Sequence, residues 1–573
     1  MATKCNCAVS IVSPRETVQI HLNSGQVLEG PRGCEIGQFL KIIKEPEDPP
    51  IVGAVVNGVL RELTYKIEMD SRVTPVTMGE ADGMRIYRRS LIFLLDTAFD
   101  RMFPQAELHV DHSIASGGYY CSVEGRQTLS NDELQALEKS IRTMVEEDLP
   151  FKRDEVPLTE AIQYFTDEAE LDKVRLLSHR KKNYLTMYEL DGHFDYHHGY
   201  MVPSTGYLQW FSLEPMEYGF TLRFPKQNQP TKLSQFKKYP KLLATFRRYR
   251  KWLSLLGISS VGALNDAIIK DKIHEVILVS EALHEQRITE ISSFIHSQRD
   301  KIRVVIVAGP SASGKTTFSK RLSIQLLAHG IAPFPLEMDK YFVDREKTPR
   351  NENGELDFES IHAIDCARLS HDLQHLIAGE KVQLPSFDFI TGKSVPGEEV
   401  QLSSNEIIIL EGIHGLNPEL ITNFPSRQAF RIYVSALTQL NLDRHNRIST
   451  TDNRLLRRIV RDVRDRGYSA YDTIQRWESV RNGERNNIFP YQEFADVMFN
   501  SALSYEMSAL KSMAEPILRQ VPFGTPEYIE AKRLLAFLGW FLPLDIELIP
   551  DNSIIREFIG NSILKDFSLW GNH

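Results

Sequence analysis

Gly309 and Gly314 stand five residues apart in the stretch VVIVAGPSASGKTTFSK, and Lys315, Thr316 and Thr317 follow directly. This spacing suits phosphate. Glycines let backbone N–H groups close around phosphate oxygens where a Cβ would stand in the way. Ser311, Ala312 and Ser313 keep the turn between them narrow. A lysine at position 315 reaches the terminal phosphates of a nucleotide, and the Thr316 hydroxyl is a hard oxygen ligand suited to Mg²⁺. The spacing predicts a nucleoside triphosphate site over residues 309–317, with Mg²⁺ as its counter-ion; ATP is the expected co-substrate, and with no base-reading motif evident GTP is left open.

A phosphate loop does not choose a reaction, so the acids and cations downstream matter. Asp339 closes the apolar run PFPLEMD, and Glu411 closes EIIILE. If both runs are strands of one open α/β sheet, their carboxyl ends line the ligand crevice. Asp339 could then take the proton from a hydroxyl that attacks the γ-phosphorus, or it could cap a helix or sit on the surface. Glu411 could complete a Mg²⁺ shell or fix its waters, or be a structural acid behind the site. Arg454, Arg457, Arg458, Arg461, Arg464 and Arg466 recur at helical spacing. So many forked, permanently charged groups favour a lid over transferring charge rather than a solvated amphipathic helix.

These residues need a frame. RVVIVAG (303–309) reads as a buried parallel strand and 315–330 as the helix after it, stopped by Gly330. Upstream, VQIHL and VLEG form one hairpin, IVGAVVNGVLREL a second around Asn57-Gly58, and residues 35–44 a short helix. Residues 90–103 and 131–149 carry helical apolar spacing, and 184–225 turn strand-rich. Residues 236–257 are basic and partly aromatic. They read as a solvated helix with Leu, Phe and Trp turned inward, with an RNA- or phosphate-binding face as the alternative.

The 573 residues suggest several domains, and the composition, 42% hydrophobic and 25% charged, is that of a globular protein. A net charge of −9 argues against bulk nucleic-acid binding. No apolar run approaches the ~20 residues of a membrane span, and MATKCNCAVSIVSPRE does not read as a secretory signal. Five cysteines, few and odd in number, fit a reducing cytoplasm, with Cys5 and Cys7 as free thiols.

Residues 301–515 resemble the uridine kinase and phosphoribulokinase family of P-loop kinases. GPSASGKTT looks like the family's phosphate loop, and MDKYF its Asp-x-Tyr-Tyr segment, which implies Asp339 as general base and Tyr341 near the acceptor. ELDFES resembles the Asn-Phe-Asp stretch, implying a ribose contact from Asp357. LPSFDF resembles Pro-x-Tyr-Asp, implying acceptor contacts from Phe387 and Asp388. NRLLRRIVRDVRDRG resembles the lid helix, implying Arg454 and Arg457 at the substrate and Arg458 and Arg461 on the moving phosphoryl group. The pyrimidine-reading His is missing, since FITGKS follows Asp388's segment. The resemblance thus implies a kinase more firmly than it implies uridine. A nucleoside 5′-hydroxyl is the expected acceptor, with a sugar or sugar phosphate as the alternative.

Residues 16–88 look like a TGS domain, and 89–225 like the second additional domain of threonyl-tRNA synthetase. That domain's His-x-x-x-His is replaced by Arg89 and Phe93, and HHGYM (197–201) lacks its Cys, which implies that metal-dependent editing is lost. The expected fold class is therefore multidomain α/β and α+β: a small β-grasp-like domain (1–88), a synthetase-editing-like α+β domain (89–235), a basic helical linker (236–300), a P-loop kinase domain with a parallel sheet flanked by helices (301–515), and a helical extension (516–573). A small-molecule acceptor is the expected partner. RNA contact through the front half, with the P-loop as an ATPase switch, is the rival, and a homo-oligomer is left open.

Overall fold

The computed structural model describes residues 13–43, 48–350, 354, 356–421, 424–438 and 440–567. Cys5 and Cys7 lie outside these residues. The front sheet has five strands in the order Val27–Pro31, Thr17–Leu22, Ser71–Thr77, Ile51–Val56, Val59–Arg61. The two hairpins form as their turn residues dictate. Ser71–Thr77 joins them, running parallel to Thr17–Leu22.

The boundary expected after residue 88 falls inside one continuous helix, Ala81–Met102. Met84, Ile86 and Tyr87 are buried on its first turns. The small sheet is thereby fused to the next layer rather than tethered to it. A four-stranded and a three-stranded antiparallel sheet complete the α+β region, the latter built from Lys152–Pro157, Tyr184–Leu190 and His193–Tyr196.

Beyond it lies a five-stranded sheet in the order Ala332–Glu337, Glu406–Gly412, Val304–Ala308, Ala429–Ser435, Val497–Asn500, parallel throughout. Near-continuous apolar runs such as VVIVA are what a strand covered on both faces requires. One face packs on the helices Ile273–Ser297 and Lys315–Ala328 through Ile288, Ile291, Phe318 and Leu322. The other packs on Cys366–Ile377 through Leu369, Leu373 and Leu376. This is the doubly wound arrangement whose crevice lies at the carboxyl ends of the strands.

The stretch 236–300, expected as a basic helical linker, forms helices that pack on the parallel sheet. Helix Pro240–Leu255 lies along the edge strand, and Lys241 Nζ donates to the carbonyls of Glu493 (3.0 Å) and Ala495 (2.7 Å). The break expected at Pro516 also falls inside a helix, Glu506–Leu518. One apolar cluster runs from Phe165 and Tyr196 through Leu264 to Leu455, Ile459 and Phe558. Front half, kinase-like half and C-terminal segment thus share a core. Among the described residues no helix is long and apolar enough to cross a membrane.

Candidate active site

The phosphate loop leaves the central strand at Gly309, where a Cβ would lie 1.9 Å from the Val434 carbonyl oxygen. Gly314 has a φ of +82°, so both glycines are required by the backbone itself. Ala312 also adopts a left-handed φ, of 56°, the kind of strain that clusters at ligand sites. Ser313 is buried within the loop. Lys315 opens the helix that follows, and its Nζ donates to the Pro310 carbonyl at 3.2 Å. The Thr316 hydroxyl donates to Glu411 Oε1 at 2.8 Å.

Three acids converge here. Glu411 ends the strand beside the phosphate-loop strand; burial pushes its carboxyl up to about 7, against the pull of Lys315 and Thr316. Asp339 follows Ala332–Glu337 in a short 3-10 turn. Its side chain is exposed, yet the surrounding protein raises its pKa while Lys315 opposes the shift. The third acid is Glu359, raised to about 7 by burial and the Glu484 charge, and held down by Arg458 and Lys315. Asp357, expected at the substrate, instead accepts the Glu359 backbone N–H at 3.1 Å and fixes the turn. Glu359 is the carboxylate that the turn delivers to the site. Asp357 and Glu359, two residues apart in ELDFES, gave no sequence signal for which one points inward.

The arginine helix is Thr450–Asp465. Its arginines divide into two kinds. Arg454 is 2% exposed and forks onto Glu484, while Arg457, fully buried, pairs with Glu506 and donates to the Ser501 carbonyl at 2.8 Å. Both are committed to holding the helix against the loop, so neither is placed to bind substrate as the resemblance implied. Arg458 is different: Nη1 reaches the Ser311 hydroxyl at 3.0 Å. Arg461 pairs with Asp462 at 3.0 Å and remains partly exposed. Arg466 is close enough to Asp339 to lower its pKa.

On the acceptor side Tyr341 turns away from the crevice and donates to Asp372 Oδ2 at 3.1 Å inside the core. Asp388 caps its own turn through Ile390 and Thr391. Phe387 belongs to an aromatic group with Phe342, Phe358 and Phe389, ring centroids 5.2–6.5 Å apart. Phe389 and Ile390 are 63% and 91% exposed at the hairpin tip, so this wall is open to solvent.

The front half shows the opposite pattern. Arg89 donates to the Tyr200 carbonyl, and Phe93 packs on His193 and His197 with centroids 5.8 and 5.2 Å away. His193, His197 and His198 do not converge on one point. His193 pairs with Asp96 at 3.0 Å, His198 Nδ1 accepts from Trp540, and His197 Nε2 lies 3.6 Å from Asp195. The kinase-like half fills the remaining space: His445 stands between Asp195 (3.0 Å) and Asp96 (3.2 Å), and Tyr196 donates to Asp443. Asp96, Asp195 and His445 could together face a metal ion, but Lys173 already meets Asp195 at 2.6 Å and Glu170 at 2.5 Å.

Residues 304–508 match the model of the phosphoribulokinase/uridine kinase family. In its N-terminal part the chain is 30% identical over 197 residues to threonine–tRNA ligase 2 of Bacillus subtilis, a match covering 34% of this chain and 31% of that one. The chain thus spans about a third of the length of the curated relatives it matches. Among solved structures, a Bacillus stearothermophilus protein described as a possible uridine kinase aligns at 22% identity over 35% of this chain and 89% of its own, TM-score 0.24. D-glycerate 3-kinase of Cryptococcus neoformans aligns at 14% identity over 48% and 88%, TM-score 0.21.

Proposed function

We propose that the protein is an ATP-dependent small-molecule kinase that transfers the γ-phosphoryl group to a hydroxyl, with a nucleoside 5′-hydroxyl as the favoured acceptor. The observation that carries this is the position of Asp339 at the carboxyl end of a strand in the phosphate-loop sheet, with its raised pKa countered by Lys315. The family match over 304–508 supports the reaction class.

Residues 309–317 would hold the phosphates of ATP. Thr316 and Glu411, a hydroxyl and a carboxylate 2.8 Å apart, are a hard-oxygen pair that fits Mg²⁺, and would hold it to neutralise phosphate oxygens. Asp339 takes the acceptor proton as the acceptor oxygen bonds to the γ-phosphorus and the bond to the bridging oxygen breaks, leaving ADP. Lys315, Arg458 and Arg461 balance the charge that moves. Glu359 is placed to accept a hydrogen bond from the acceptor's hydroxyls. The aromatic group around Phe342 and Phe387 offers a flat apolar wall to a ring. With no His after Asp388's segment, stacking would replace base-edge hydrogen bonds, and discrimination between bases would be loose.

The test is a panel of ribonucleosides, deoxyribonucleosides, pentoses and pentose phosphates with Mg²⁺-ATP, read as acceptor-dependent ADP release and product identity. A phosphorylated nucleoside is expected. A sugar phosphate as the one productive acceptor would move the reading to phosphoribulokinase-type chemistry. Silence across the panel with ATP bound, and turnover with tRNA, would replace it with an RNA-associated ATPase.

A further inference from the structure

The C-terminal segment packs against the phosphate loop. Glu557 Oε2 accepts hydrogen bonds from the Thr317 backbone N–H (3.2 Å) and the Thr317 hydroxyl (2.8 Å). Thr317 is in the first turn of the helix Lys315–Ala328, where N–H groups have no partner within the helix and point outward, and where a phosphate loop binds phosphate. Ile554 presses on the same loop, its Cγ2 2.6 Å from where a Cβ on Gly314 would stand.

This contact is built, not casual. Ile554, Ile555 and Phe558 are fully buried around Glu557. From the arginine helix, Arg464 donates to the Glu557 carbonyl at 3.0 Å and to the Phe558 carbonyl. The guanidinium of Arg457 lies 5.0 Å from the Phe558 ring centre. From the phosphate-loop helix itself, Lys320 Nζ donates to the carbonyls of Leu564 (2.7 Å) and Lys565 (3.1 Å). The backbone is pinned on both sides, while the partly exposed Glu557 side chain has a flexible stem. The charge also reaches the expected metal side, since Glu557 contributes to the raised pKa of Glu411.

A carboxylate and a nucleotide phosphate oxygen are both anions and both acceptors, and one amide N–H cannot serve the two at full strength. We propose that Glu557 is an internal competitor for nucleotide phosphate: its carboxylate holds the Thr317 donors until ATP displaces it, which makes the C-terminal segment a brake on nucleotide binding. This rests on the reading of residues 309–317 as a nucleotide site. The displacement is a swing of the Glu557 side chain, with the segment staying anchored by Ile554, Ile555 and Phe558.

The experiment is calorimetric titration of the full-length wild type, Glu557→Gln and Glu557→Ala with ADP, ATP and adenosine, without acceptor. Both variants are expected to bind ADP and ATP about tenfold more tightly, the scale of one charge-assisted hydrogen bond and its repulsion removed. Adenosine, which has no phosphate, should bind all three proteins alike. Unchanged or weaker ADP binding in both variants, with the wild type binding normally, would overturn the competitor role and leave the nucleotide site standing. Equal tightening of adenosine would overturn it too, by showing a general opening of the site. Failure of all three proteins to bind any nucleotide would remove the nucleotide reading and this proposal with it.

Discussion

Lys315 and Lys173 show how the same side chain comes to mean different things. Lys173 is fully buried between Asp195 and Glu170, with His445 beside it, so its charge is spent inside the protein. Lys315 donates to a single carbonyl, Pro310, and among the described residues it has no ion pair. A loop with an uncommitted cation, strained backbone and acids raised by burial is poised for an external anion. A cluster in which Asp96 and Asp195 are met by His193, His445 and Lys173 is poised for nothing outside the chain. Asp443, His445 and Asn446 from the kinase-like half pack into this cluster of the front half. Those residues run straight into the arginine helix at Thr450. The front half thus packs against the segment that leads into the arginine helix.

Substitutions should divide along that line. Asp339→Asn is expected to lower turnover ~10²–10⁴-fold with urea unfolding unchanged, because it removes a base and leaves packing intact. Asp195→Ala should do the reverse: Lys173 would be left buried and short of a partner, at a cost of about 3–5 kcal/mol in urea unfolding. Nucleotide affinity should hardly move while the protein remains folded. A loss of affinity before any loss of stability would break the comparison.

The two regions should also differ in their response to pH. Asp339 has a raised pKa and must be deprotonated to act, so the acid limb of turnover should lie above the ordinary aspartate value of about 3.9. His445 has a folded pKa raised by Asp96 and Asp195 against burial, so its contribution to stability is complete below the unfolded value of about 6.5. That contribution fades as pH rises through the raised folded value. Urea midpoints measured across this range should fall in the wild type and flatten in His445→Gln. The smallest effect is expected at Tyr341. Its hydroxyl serves Asp372 in the core, so Tyr341→Phe should cost about 1 kcal/mol of stability and leave the acceptor KM unchanged. A raised KM would return Tyr341 to the acceptor site.

What the sequence disclosed was what is local in the chain. The phosphate loop, its strand and helix, the two hairpins and the parallel strands leading to Asp339 and Glu411 rest on adjacent residues and short periods, and these were legible; the parallel strands Ala429–Ser435 and Val497–Asn500 were not read. Asp339 was legible too, as the last residue of an apolar run. Partnerships made across the fold were not. Arg454 and Arg457 read as free lid arginines because Glu484 and Glu506, which bury them, are 30 and 49 residues away. Nothing in DRHN announces that His445 enters a pocket 250 residues upstream, nor that Glu557 faces a loop 240 residues before it. Asp357 and Glu359 differ only by the direction of one turn, and spacing does not encode that direction. The expected boundaries after 88 and at 516 fall inside the helices Ala81–Met102 and Glu506–Leu518, whose continuity the local spacing did not disclose.

The most direct measurement is single-turnover phosphoryl transfer from ATP to the best acceptor, in wild type and Asp339→Asn, with ATP binding measured in the same samples. The account predicts equal ATP binding and a chemical step at least ~10²-fold slower in the variant. Equal rates in the two proteins would contradict it, for the acid beside the phosphate loop would then not be the base.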